Sequence, residues 1–185
     1  MRSILRTPLL LVALAAGFLL SGCGYNNIQT LDEQTKSAWS EVLNQYQRRA
    51  DLIPNLVNTV KGYAQQEQAV LIGVTEARAK ASSIKVNAGD AASLKQFQQA
   101  QGELSGALSR LLVVSERYPE LKSDQNFRDL QVQLESTENR ITVARKNFND
   151  AVQAYNVKIK SLPHRLLRGI PRLSAEALLP GCCRR

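Results

Sequence analysis

Apolar residues recur every three or four positions along almost the whole chain, with glutamine, glutamate, lysine and arginine between them. That is the spacing of one face of an α-helix. Leu31, Ala38, Val42 and Tyr46 share one side of a first segment over residues 28–49, with Trp39 beside them. Leu52, Leu56, Val60, Tyr63, Val70, Val74 and Ala77 continue a face to about residue 83. Residues 84–89 read as a loop, and Asp90 is placed to cap a helix that runs to about Arg117. Its inward residues are Leu94, Phe97, Leu104, Leu108, Leu111 and Val114. Tyr118 and Pro119 break the pattern, because the residue before a proline is biased away from helix. Ser123 is then expected to cap a last helix over residues 124–161.

The last helix has the most regular stripe. Phe127, Leu130, Leu134, Thr137, Ile141, Ala144, Phe148, Ala151, Tyr155 and Leu162 alternate by three and four, with Ile159 in register. This is coiled-coil spacing. It suits a second copy of the chain as a homo-oligomer, but the neighbouring helices offer enough apolar surface to bury it internally, and that reading is preferred.

Pro54 decides the architecture. It lacks the N–H that a helix interior uses, and its ring crowds the carbonyl four residues back. An unbroken helix over 28–83 would run about 84 Å against a neighbour of about 42 Å; split at the proline, the four segments come to about 33, 45, 42 and 58 Å. Segments of that kind pack side by side. The fold expected is therefore all-α, an up-and-down four-helix bundle with an N-terminal membrane anchor. The alternative is three long helices, the first kinked at Pro54.

The amino-terminal segment, residues 1–22, stands outside this body. Arg2 and Arg6 precede an apolar run over 9–20, and Leu20, Ser21 and Gly22 lead into Cys23. A charged start, an apolar core and small residues make a secretory signal. The final four residues match a bacterial lipobox, so Cys23 is the expected lipidation site; the other reading keeps the apolar segment as an uncleaved transmembrane anchor. Either places residues 23–163 outside the cytoplasm and beside a membrane. Gly24, where an aspartate would favour the inner membrane, points to the outer membrane facing the periplasm.

The formal net charge of +8 changes little. Residues 24–163 hold 17 Lys/Arg against 15 Asp/Glu, and the excess sits in the signal and in residues 164–185, with five arginines and one glutamate. A nearly balanced body lacks the basic stripe that nucleic-acid binding needs. Cys182 and Cys183 are adjacent, where a mutual disulfide is strained.

Several segments together are more specific than any of these patterns. Ala38 and Trp39; Arg48 through Val57 (RRADLIPNLV); Val60, Lys61, Gly62 and Tyr63; Tyr118 through Lys122 (YPELK); Thr137 through Ile141 (TENRI) with Ala144 and Arg145; and Tyr155 with Asn156 resemble the LemA family, in order and at its spacings, over about residues 25–163. The resemblance implies a helical bundle of bromodomain-like topology, tethered by its amino terminus and facing outward from a bacterial membrane. It implies membrane-protein partners and no established reaction. The chain departs from the family at Gln66 and Glu67, where His-Glu is common, and after Pro163, where an apolar, aromatic-containing end is usual. A shifted reading frame or a genuine basic extension that leans on anionic lipid would account for the tail over 164–185.

Chemistry is sparse. The chain's one histidine, His164, lies in the tail, and no nucleophile elbow, metal-binding His-Glu motif, P-loop or dinucleotide-binding glycine pattern is present. No catalytic residue, metal site or cofactor is expected, and the protein is not expected to be an enzyme. The candidate residues are polar ones of the motif: Arg48, Arg49, Asp51, Pro54, Lys61, Glu138, Asn139, Arg140 and Arg145. Asp51 is expected to cap a helix that begins at Pro54, and an arginine–carboxylate pair is expected to fix register across the bundle. Arg140 and Arg145 fit register or docking equally. The function expected is a binding or scaffold module of the envelope; the alternative is an accessory subunit of a membrane protease or envelope signalling system.

Overall fold

The computed structural model describes residues 6–86 and 90–160, with side chains from residue 27 onward within those spans. The expectations at Cys23 and over residues 161–185 lie outside the described residues or side chains. All described regular structure is helical: α1 (Arg6–Tyr63), α2 (Gln68–Ser83), α3 (Ala91–Ser115), α4 (Pro119–Ser123) and α5 (Gln125–Lys160).

The expected break at Pro54 does not occur. α1 runs through it without interruption, and the chain turns instead at residues 64–67. A proline leaves the carbonyl four residues earlier without its donor, here that of Ala50. In this fold Arg78 of α2 donates its Nε–H to that oxygen at 2.7 Å. The helix therefore passes the proline with its backbone satisfied, and Asp51 caps nothing: it is exposed in mid-helix and accepts from Gln47 Nε2 at 2.8 Å.

The true turn contains neither glycine nor proline. Buried Ala64 ends α1, its N–H still bonded to Val60 O at 2.8 Å, and Glu67 accepts the first N–H groups of α2. Glu67 is clamped from the far side of the chain by Arg117 at 3.2 Å and by the Tyr118 hydroxyl at 3.5 Å. Tertiary contact makes this corner.

α1 and α5 form the principal pair. Ile28 clusters with Tyr155 and Ile159, Trp39 packs against Phe148 with ring centres 5.0 Å apart and planes tilted by 50°, Arg49 meets Glu138, and Tyr63 reaches Asp124. Partner numbers fall on α5 as they rise on α1, so the two helices are antiparallel over their shared length. α2 turns back along α1, and α3 runs antiparallel to α2, with Lys80 on Glu103 at 2.6 Å. The core divides into a larger cluster around Leu56, Val60, Leu104, Leu111 and Phe127, a second around Trp39, Val42, Leu94 and Phe148, and a small third at Ile28.

The helix starts follow local chemistry. Asp90 caps α3, its carboxylate accepting from the N–H groups of Ala92 and Ser93 at 3.1 Å each. Asp124, rather than Ser123, caps α5 by accepting from Phe127 N at 2.8 Å. Of the α5 stripe, Phe127, Thr137, Ile141, Ala144, Phe148, Tyr155 and Ile159 are buried, Leu130, Leu134 and Ala151 are half-buried, and Asn149 and Val152 join the buried face. Tyr63 departs from the inward face assigned to it. It is 41% exposed, with its hydroxyl donating to Asp124 Oδ2 at 3.0 Å.

Candidate functional site

Between the two large apolar clusters lies a polar layer centred on Arg49. The residue is 3% exposed, among the most buried polar side chains described. Position 49 falls on the inner face of α1, beside Ala50 and Ile53, so its guanidinium projects into the body rather than into water. A buried cation is costly unless paired and hydrogen-bonded. Here Nη1 binds Glu138 Oε2 at 2.7 Å and Ser105 Oγ at 3.1 Å, while Nη2 reaches the side-chain and main-chain oxygens of Gln101. The guanidinium also lies 5.3 Å from the centre of the Tyr46 ring. Three helices are thus joined at one side chain: α1 through Arg49, α3 through Gln101 and Ser105, α5 through Glu138.

Tyr46 and Arg145 extend the layer. Tyr46 meets Phe97 edge-on at 5.0 Å and hydrogen-bonds Arg145. Burial holds its hydroxyl above the ordinary tyrosine value, and the nearby Arg145 and Arg49 charges only partly offset that. Tyr46, Arg49, Gln98, Gln101, Gly102 and Arg145, among others, enclose a cleft of about 190 Å³.

The candidate residues therefore separate. Arg49, Glu138 and Arg145 converge in the polar layer. Arg48 and Asp51 are exposed on the other side of α1, and Lys61 lies farther along it, lining a groove with Val57, Leu71 and Ile72 of α2. Pro54 belongs to the α1–α2 contact through Ala50 and Arg78. Asn139 and Arg140 are exposed on the outer face of α5. There they line a shallow groove with Glu41 and Gln45 of α1 and with Val132 and Val143, which are 63% and 57% exposed.

Sequence reasoning missed Gln101, Ser105 and Arg78. Each stands at an interior position of an otherwise apolar face, and that was the signal available. Among the described residues no three His, Cys, Asp or Glu side chains converge as a metal ion would require. Glu116 is engaged by Lys122 at 2.5 Å and Glu138 by Arg49.

A family model described as the LemA family matches residues 38–179, past the Pro163 at which the motif resemblance ended. Magnetosome proteins MamQ 1 and MamQ 2 of Paramagnetospirillum magneticum are each 28% identical over 158 residues, covering 75% of this chain and 58% of theirs. Magnetosome protein MamQ of Magnetospirillum gryphiswaldense is 27% identical over the same shares. The chain thus spans less than two thirds of the length of these relatives.

Proposed function

The chain belongs to the LemA family, and from that premise we propose that it is a membrane-anchored, extracytoplasmic binding and scaffold module of a bacterial envelope. α1, α2, α3 and α5 act in this reading as one up-and-down four-helix bundle, which the alternating directions of successive contacts support. The apolar run over 9–20 with Leu20, Ser21 and Gly22 before Cys23 supports attachment by a lipid, and Gly24 supports the outer membrane as its site. Relatives named as magnetosome proteins bring a subcellular structure and no reaction.

One observation carries the binding reading. Arg140 is exposed on the α1–α5 groove, flanked by Val132 and Val143, and makes no hydrogen bond or ion pair among the described residues. Arginine beside exposed aliphatic side chains is the composition of a protein contact. Glu138, one residue before Asn139, turns inward to Arg49 instead, so α5 keeps its register on one side and offers a surface on the other.

The test is the Arg140→Ala variant of the full chain, purified from detergent-solubilised membranes. Unchanged thermal stability with loss of a co-purifying membrane protein supports docking. Lowered stability with the partner retained refutes it. A membrane protease in stoichiometric amount would make the chain an accessory subunit. Intact mass of the same preparation tests lipidation, since an acylated amino terminus at Cys23 has a mass that an uncleaved anchor cannot match.

A further inference from the structure

The cleft inside the polar layer is built for an anion. Two guanidinium groups, of Arg49 and Arg145, line it with a single carboxylate, that of Glu138. Glu138 is already engaged by Arg49 Nη1 and its side chain is 55% exposed, so it stands at the rim with water to screen it. Arg49 spends both terminal nitrogens on Glu138, Ser105 and Gln101, yet its buried Nε–H meets no acceptor among the described residues. A buried charged group with an unsatisfied donor calls for a partner from outside the chain. Gln98, half-buried at the wall, makes no side-chain hydrogen bond among the described residues and offers two more amide donors.

The space agrees in size and access. A volume of about 190 Å³ equals roughly six waters at about 30 Å³ each, enough for one small oxyanion with a water or two. Gly102 of α3 forms part of the wall, and a Cβ there would meet no atom within 4 Å. A glycine in mid-helix with nothing packed on it costs stability relative to alanine, and here it keeps the cleft open.

We propose that this cleft binds a small oxyanion, a carboxylate or a phosphate group, between the Arg49 Nε–H and the Arg145 guanidinium, with Gln98 and Tyr46 donating at its sides. Planar guanidinium forks match both anions in geometry. The site is separate from the outer groove that carries Arg140, so it stands or fails independently of docking there.

The test is calorimetric titration of the full chain in detergent with sodium acetate and, separately, sodium phosphate, against sodium chloride at matched ionic strength. Saturable binding of acetate or phosphate without chloride is expected. Response to acetate alone assigns the site to carboxylates such as an acidic side chain; response to phosphate alone assigns it to phosphoryl groups. Arg145→Gln should weaken binding by about tenfold or more. Gly102→Leu, which fills the opening and leaves both arginines in place, should abolish binding without lowering the unfolding temperature. An equal response to chloride, or full affinity in Gly102→Leu, overturns the proposal.

Discussion

Arg78 donates its Nε–H to the carbonyl of Ala50 at 2.7 Å, and Ala50 stands four residues before Pro54. The oxygen that the proline deprives of a backbone donor receives one from the next helix. This single contact lets α1 run unbroken, so one helix lies against α5 on both sides of the proline, from Ile28 beside Ile159 to Tyr63 beside Asp124. It also ties α2 to α1 at a place where an ordinary helix would have no acceptor to offer.

Arg78→Ala therefore leaves a carbonyl without a partner beside buried Ala50. Unfolding free energy should fall by about 1–3 kcal/mol, the cost of an unmade hydrogen bond at a buried acceptor. In a Pro54→Ala background the residue 54 N–H can serve that carbonyl, and the same substitution should cost less than half as much. Urea denaturation of the four proteins of this cycle measures the coupling. Equal costs in both backgrounds would refute the account.

Glu138 and Arg49 should show unequal sensitivity. Glu138→Ala strands a buried cation next to Arg145. Its cost should approach about 3 kcal/mol, the lower end for a broken buried pair because the carboxylate is half exposed. The double variant Arg49→Met/Glu138→Leu removes both charges and should recover most of that loss. Chemical denaturation of the single and double variants tells the two apart.

Acid stability should depend in part on Asp124. The Phe127 N–H and, less strongly, the Tyr63 hydroxyl hold its carboxyl below the ordinary aspartate value. A depressed folded value means that the contribution is present above the unfolded value, about 3.9, and is lost as pH falls through the folded one. Tyr63→Phe should raise the Asp124 midpoint only partway, because the backbone donor remains. A carboxyl-carbon NMR titration reads this directly. An unmoved midpoint would show that the tyrosine does not reach the carboxylate in solution.

Gly106 lies one turn beyond Gly102 on α3, exposed, with nothing within 4 Å of a built Cβ. Gly106→Ala should stabilise by about 0.5–1 kcal/mol through the lower entropy of the unfolded chain. A gain in unfolding temperature with no other change is the expected result.

Much of this protein is legible in its residues. The stripe from Phe127 to Ile159, the Asp90 cap and the helix over Ala91–Ser115 follow from spacing and capping chemistry, which act within a few residues. Pro54 misled because its local effect is real and its remedy, Arg78, lies 24 positions on in the sequence. The corner at Ala64–Glu67 had no punctuating residue for the converse reason: Arg117 and Tyr118 supply the restraint from the connection between α3 and α4. An arginine–carboxylate pair fixing register was foreseeable, but which arginine was not, since Arg48 and Arg49 differ only by 100° around the helix axis at about 3.6 residues per turn.

The antiparallel register of α1 and α5 also has a mechanical meaning. With Ile28 beside Ile159 and Tyr63 beside Asp124, the chain enters and leaves its packed body at one pole. The opposite pole, made of the corner at Glu67 and the short α4, stands about 54 Å away along the 36 residues of α5. A load applied at the entry pole falls first on the contacts of Ile28 with Tyr155 and Ile159, then on Trp39 and Phe148, and reaches the Arg49–Glu138 brace only after them.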